Sequence, residues 1–403
     1  MQPVEIKDNV FWVGVVEFDH RDFHGYSRCP DGTTCNAYLV KDEKSALIDT
    51  VSPGNAGQLL CRLAKTMPPD KVDYIVCNHM ELDHQGCLEE IVERVRPEKI
   101  FVSQMGMKSM QGYFADKNWP VQAVKSGDVL ELGKKRIIFQ ETRMLHWPDS
   151  MVSYIPEEKL LISNDIFGQN IASTQRYVDT FDDQPEFVHR VKEYYYNIVL
   201  PYSQMVLKAL PVVEALDIDM IAPDHGLIHR GGDAVRFIID LYRKMAEQKP
   251  QQQAVIFYDT MWHSTEHMAY AVCSGLAENG VPCRIMSVKD NHHSAIMTQL
   301  ADCGAVLAGS PTHNNGILPL VAAMFCYMSG LKPLNRVGGA FGSSGWSGEA
   351  PKILQQKLAD MHVELPADPV KCLWAPTKDV YKACNQLGKT VADALKRKCD
   401  AEG

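Results

Sequence analysis

Downstream of Pro250 the chain repeats one short unit five times, an apolar β-like run followed by a helical pattern. The runs are AVIFYD from Ala254, CRIMSV from Cys283, AVLAG from Ala305, VGGAF from Val337 and VKCLW from Val370. Helices are predicted from Glu266, near Ser294, from Leu318, from Pro351 and after the last run. Such alternation leaves few solutions, because each helix must return the chain to a parallel neighbour, and it predicts a doubly wound parallel sheet. The polar stretch EQKPQQQ, Glu247 to Gln253, ends a helical pattern at Pro250 and marks a domain boundary, giving domains 1–250 and 251–403. Upstream the pattern is mixed. AYLVKDEKSALIDT turns in hairpin fashion about Asp42 to Lys44, and GCLEEIVERV reads as helix, so an α+β domain is expected there.

Composition narrows the function classes. With 403 residues, 45% hydrophobic and 23% charged, the chain has ample material for buried cores. A net charge of -9 without a long Lys/Arg cluster argues against nucleic acid as a partner. No signal-like N-terminal segment and no uncharged apolar run of about 18 residues is present, so a cytoplasmic protein that does not span a membrane is expected. The twelve cysteines contain no CxxC pair, which removes a built-in zinc or rubredoxin-type iron site.

The densest chemistry lies in CNHMELDHQG, Cys77 to Gly86, directly after the apolar YIVC. His79, Glu81 and Asp83 are spaced by two and would point to one side of an extended chain; His84 follows as the chain turns into a helix. Three further segments, each ending a β-like run, add polar residues: MLHWPDSM gives His146, ISNDIFG gives Asp165 and IAPDHGLIH gives His225. A solvated polar loop would explain the first stretch alone, but not four histidines and three carboxylates at successive strand ends. The set resembles the metallo-β-lactamase fold, an αββα sandwich with a two-metal site in its edge loops, and LIDT with Asp49 resembles that fold's early strand motif. Hydrolases of this fold read His-x-His-x-Asp-His; here Glu81 stands at the middle position. A carboxylate there is a hard anionic oxygen donor, which favours iron over zinc.

Three segments follow strands of the C-terminal domain. YDTMWHSTEHM carries Thr260, Met261, Trp262, His263, Ser264 and Thr265. GSPTHNNG carries Ser310, Pro311, Thr312, His313, Asn314 and Asn315, and FGSSGWSGE carries Gly342, Ser343, Ser344, Gly345 and Trp346. Hydroxyls and backbone N–H groups between a first strand and its helix suit a phosphate, although an ordinary helix cap at Ser264 or Thr265 uses the same residues. The three segments flank the switch point where flavodoxins hold FMN, with Trp262 and Trp346 able to cover a flavin. Short flavodoxins have glycine where His263 stands.

A metallo-β-lactamase-like domain with the Glu variant followed by a flavodoxin-like domain resembles the flavodiiron proteins, the A-type flavoproteins, over essentially the whole chain. The resemblance implies two iron ions and one FMN per chain. It implies that His79, Glu81 and His146 hold one iron, that Asp83, His84 and His225 hold the other, and that Asp165 bridges them. It further implies reduction of O2 to water, of NO to N2O, or both. Electrons would come from rubredoxin or a similar small carrier, in a head-to-tail homodimer or a pair of such dimers. A dinuclear zinc hydrolase with a passenger flavodoxin-like domain and a pure electron carrier with a degenerate metal site are the competing readings. His24 and Tyr26 in RDFHGY, and Tyr194, Tyr195 and Tyr196 on a predicted helix, are candidates for hydrogen bonding around the metals.

Overall fold

The computed structural model describes residues 2–402. The chain forms two compact units. One comprises the chain up to Gly25, Cys29–Tyr195 and Tyr202–Arg243; the other comprises Tyr26–Arg28, Tyr196–Pro201 and the chain from Lys244 onwards.

The first unit is built on a seven-stranded and a six-stranded sheet. In the seven-stranded sheet the strands run in the order Val4–Lys7, Val10–Trp12, Tyr38–Lys41, Ser45–Ile48, Tyr74–Cys77, Lys99–Ser103, Val121–Val124. Tyr38–Lys41 and Ser45–Ile48 form the antiparallel hairpin expected about Asp42 to Lys44. Strand alternation sends successive side chains to opposite faces, and here both faces are apolar because both are covered. Tyr38 and Val40 enter a core shared with Ile137, Phe139, Ile155 and Ile162 of the other sheet. Leu39 and Leu47 instead enter a core with Leu59 and Leu63 of helix Ala56–Thr66 and with Ile91 and Val95 of helix Leu88–Val95. The six-stranded sheet runs Val129–Glu131, Arg136–Glu141, Met151–Ile155, Leu160–Ile162, Met220–Ala222, His229–Arg230.

In the second unit a five-stranded parallel sheet has the order Cys283–Ser287, Ala254–Tyr258, Ala305–Gly309, Val337–Ser344, Val370–Leu373. The order reverses on either side of Ala254–Tyr258, which defines a switch point at the carboxyl end of that strand. Helices Ser264–Glu278, His293–Ala301, Pro319–Leu331, Ala350–Asp360 and Lys378–Glu402 alternate with the strands, as the five repeats predict. The fourth strand is longer than VGGAF suggests. Gly342, Ser343 and Ser344 do not form a loop but pair with Lys371, Cys372 and Leu373, the fifth strand supplying hydrogen-bond partners that extend the fourth. Among the described residues no helix is long and apolar enough to cross a membrane.

Candidate metal centre and flavin loops

The seven predicted donors come from four chain segments, each leaving the end of a strand, and the structure brings all seven together. His79 and Glu81 follow strand Tyr74–Cys77 in extended backbone. Asp83 departs from the expected period of two, because Leu82–Gln85 is one helical turn with Glu81 at its N-cap, and His84 lies in that turn as the sequence suggests. That turn carries Asp83 and His84 towards His225 rather than towards His146. Asp165 follows strand Leu160–Ile162, and His225 follows Met220–Ala222. Gly226 sits at φ +81° after His225, where an added Cβ would meet Gln169 Oε1 at 1.9 Å, so only glycine permits this turn.

Two donor groups share one carboxylate. Asp165 Oδ2 lies 3.6 Å from His79 Nε2 and 3.4 Å from His146 Nε2, and Glu81 Oε2 lies 3.2 Å from each of these nitrogens. Asp165 Oδ1 lies 3.2 Å from His84 Nε2 and 3.4 Å from His225 Nε2. Asp83 completes that side, its Oδ1 3.3 Å from His84 Nε2 and its Oδ2 3.2 Å from His225 Nε2. His84 is buried and points inward.

Polar partners fix the imidazoles. His225 Nδ1 lies 2.7 Å from the Thr34 carbonyl, which can only accept, so Nδ1 carries a proton and Nε2 is turned towards Asp165 and Asp83. Asp149 Oδ2 does the same for His79 Nδ1 at 3.3 Å while accepting from the Met80 N–H at 2.7 Å. Asp224 Oδ2 faces His84 Nδ1 at 3.5 Å, and Asp49 accepts from the Asn78 N–H and from Gln85 Nε2, which also reaches the His79 carbonyl. Sequence reasoning singled out neither Asp149 nor Asp224. Their signal is proximity to a ligand, Asp149 three residues after His146 and Asp224 immediately before His225.

Burial works against ionising Glu81, but hydrogen bonds from His146 and His79 outweigh it and lower its carboxyl to about 2. Burial likewise opposes the Asp165 carboxylate, and the surrounding imidazoles, His84 foremost, hold it well below the usual range. Both act as anions. Asp165 Oδ1 and Oδ2, Asp83 Oδ1, His84 Nε2 and His225 Nε2 are nevertheless buried without a hydrogen-bond partner. Unpartnered buried polar atoms of this kind are costly in a fold unless something else engages them. Carboxylate oxygens and imidazole nitrogens in two sets around a shared carboxylate fit a pair of metal ions.

The other candidates divide. His24 Nε2 lies 3.3 Å from Glu81 Oε1 and 3.7 Å from Asp83 Oδ2, and the Tyr194 ring centroid lies 5.8 Å from that of His225. Helix Gln184–Tyr194 ends there and passes into a π-helical turn, Tyr195–Val199. Tyr195 turns away to Ser203 Oγ at 3.1 Å. Tyr26 and Tyr196 belong to the second unit, where Tyr196 donates to Asp302 Oδ1 at 2.6 Å.

In the second unit the three segments lie at the carboxyl ends of neighbouring strands. Thr265 Oγ1 and Ser343 Oγ are 3.0 Å apart, and the Thr312 N–H donates to the Ser343 carbonyl at 2.8 Å, so the first and second segments both meet the third. An added Cβ at Gly342 would meet the Ser310 carbonyl oxygen at 2.0 Å, which is why this approach takes glycine. Neither Ser264 nor Thr265 caps the following helix. His263 occupies the N-cap at φ +65° without a side-chain cap, its Nδ1 paired with Glu266 Oε2, so the first-turn N–H groups remain for a phosphate. His313 and Gly316 exchange backbone hydrogen bonds across Asn314 and Asn315, both at positive φ. Lys289, which sequence reasoning missed, ties the first segment through Asp259 Oδ1 at 2.9 Å and the Thr260 carbonyl. Trp262 and Trp346 are 86% and 84% exposed beside these segments. Planar rings, hydroxyls and an uncapped helix start fit FMN.

Comparisons with known proteins agree with this division. Residues 33–226 match the ODP family beta lactamase model and residues 256–388 the flavodoxin model. The chain is 49% identical over its full length to the full length of the rubredoxin-oxygen oxidoreductase of Megalodesulfovibrio gigas. It is 40% identical to the nitric oxide reductase of Moorella thermoacetica, over 97% of this chain and 98% of that protein. The solved flavodiiron protein of Giardia intestinalis superposes with a TM-score of 0.95 at 30% identity, covering 100% of this chain and 98% of that one. The chain belongs to the flavodiiron proteins.

Proposed function

We infer that this protein is a flavodiiron oxidoreductase that reduces O2 to water, NO to N2O, or both. The observation that carries the reading is Asp165, whose two oxygens face two separate donor sets, with Glu81 in place of a third imidazole. His79, Glu81 and His146 would hold one iron, Asp83, His84 and His225 the other, and Asp165 both. When bound, the iron pair and FMN supply the redox chemistry and the four electrons that converting O2 to two waters requires.

The chain's own residues set the conditions for that chemistry. Asp149 and the Thr34 carbonyl hold the Nδ1 protons of His79 and His225, so both rings keep a fixed tautomer. Burial of His79, His84, Asp165 and His225 excludes bulk water from the donor atoms. Three carboxylates among neutral imidazoles would offset three of the four charges of two divalent ions. His24, in reach of Glu81 and Asp83, offers a ring nitrogen at the edge of the site.

The names of the relatives support rubredoxin as the electron donor. Family membership supports a head-to-tail homodimer in which the FMN of one subunit serves the irons of the other. A forced heterodimer tests the assembly, one subunit carrying Asp165→Ala with its FMN in place and the other stripped of FMN with its irons in place. Substantial activity is expected, and a dead heterodimer with both cofactors bound as designed would overturn it. The function itself is tested by metal and flavin analysis followed by anaerobic reduction with rubredoxin and exposure to each gas. Two irons, one FMN and consumption of O2 or NO are expected; stoichiometric zinc with hydrolytic activity would refute the reading.

A further inference from the structure

Two of the twelve cysteines form a pair outside the site already described. Cys273 lies in helix Ser264–Glu278, and Cys283 opens strand Cys283–Ser287, the edge strand of the five-stranded sheet. The helix packs on this strand, and residues 279–282 connect them. The two thiols pack against the same core cluster within reach of each other, and both are partly exposed. Most of the remaining cysteines are buried, while Cys61 and Cys326 are exposed.

We propose that Cys273 and Cys283 are a modification site that closes reversibly to an intramolecular disulfide by exchange with a low-molecular-weight disulfide. The Cys273 thiolate attacks one sulfur of the small disulfide, the S–S bond breaks, and one small thiolate leaves and takes up a proton. Cys283 then loses its proton, attacks the Cys273 sulfur of the mixed disulfide and expels the second small thiolate. Two protein thiols and one small disulfide thus become one protein disulfide and two small thiols. The pair divides these roles unequally. The neighbouring Cys283 thiol lowers the Cys273 thiol to about 7 although burial acts the other way, and the same contact raises Cys283. A thiol that ionises near neutrality is the better attacker, and its neighbour stays protonated until the exchange needs it. Because Cys283 stands on an edge strand, no further strand shields it from a reagent. Closure would tie the helix that starts at the 260–265 segment to the sheet edge.

The test uses the holoprotein with iron and FMN bound, incubated anaerobically with excess oxidised glutathione, then alkylated and mapped by peptide mass. The expected result is the loss of two of the twelve thiols and a cross-linked peptide joining Cys273 to Cys283, reversed by dithiothreitol. In Cys283→Ser the mixed disulfide should accumulate on Cys273. The proposal is overturned if Cys273 remains alkylatable while Cys61 or Cys326 takes up glutathione, or if the wild-type protein keeps glutathione on Cys273 without closing. Should Cys283→Ser fail to fold, the wild-type map alone decides.

Discussion

The two units hold their candidate cofactor residues in opposite ways. In the first, His79, His84, Asp165 and His225 are at most 2% exposed, and fixed partners orient the His225 and His79 rings: the Thr34 carbonyl and Asp149. In the second, Met261, Trp262, His263 and Trp346 face solvent, and the segments are joined by a handful of hydrogen bonds such as Thr265 to Ser343. The difference follows the ligands. A metal ion needs its donors at one distance and in one protonation state, so its surroundings must be over-determined. A flavin offers a large surface, and many modest contacts on adaptable segments suffice.

Removing the shared carboxylate should have the largest effect. Asp165→Ala leaves two donor sets of like-charged or neutral groups with nothing between them, and iron should fall from two per chain to less than one, with O2 and NO turnover abolished and FMN retained. Iron analysis checks this. Unchanged iron would break the contrast between the units at its strongest point.

Buried His229 probes how rigidly the first unit excludes charge. Its Nε2 donates to the Phe167 carbonyl at 3.1 Å, and burial lowers its imidazole from 6.5 to about 4. Between these values the unfolded chain binds a proton that the folded chain refuses, so stability falls as pH falls from 6.5 towards 4. The loss amounts to about 3 kcal/mol when complete. Denaturant titrations of the wild type and His229→Gln across this range should show the wild type losing that much more. Parallel pH profiles would contradict the assignment.

Asp149→Asn keeps the size of the residue but weakens the acceptor for His79 Nδ1 and Met80 N–H. Outer partners of metal-binding histidines are worth about 10- to 100-fold in metal affinity. Iron loss to a chelator should quicken accordingly, with flavin content unchanged. Thr260→Ala combined with Thr265→Ala should have the smallest effect, weakening FMN about tenfold, as expected for one or two hydrogen bonds, and leaving iron intact. Flavin fluorescence titration reads it, and an equal loss of iron would erase the distinction between the units.

The sequence carried the second unit's sheet because each apolar run and its helix are local signals, and five in a row admit little else. It also pointed to the seven residues that the fold brings together, since His79 to His84 are adjacent and the others end clear β-like runs. Its shortfalls are long-range. Asp83 was expected on the extended face of His79, but the single turn Leu82–Gln85 redirects it, and a turn of that length has no periodic signature. The strand ending at Ser344 outruns its apolar run because pairing with Val370–Leu373 supplies what the side chains do not. Asp149 is an ordinary aspartate until the fold sets it beside a histidine seventy residues earlier in the chain.

The most direct test of the account is anomalous scattering at the iron edge from crystals of the as-isolated protein. Two iron peaks per chain are predicted, one among His79, Glu81 and His146 and the other among Asp83, His84 and His225, with one oxygen of Asp165 on each. A single peak, a zinc signal in place of iron, or an Asp165 that ligates one ion alone would contradict it.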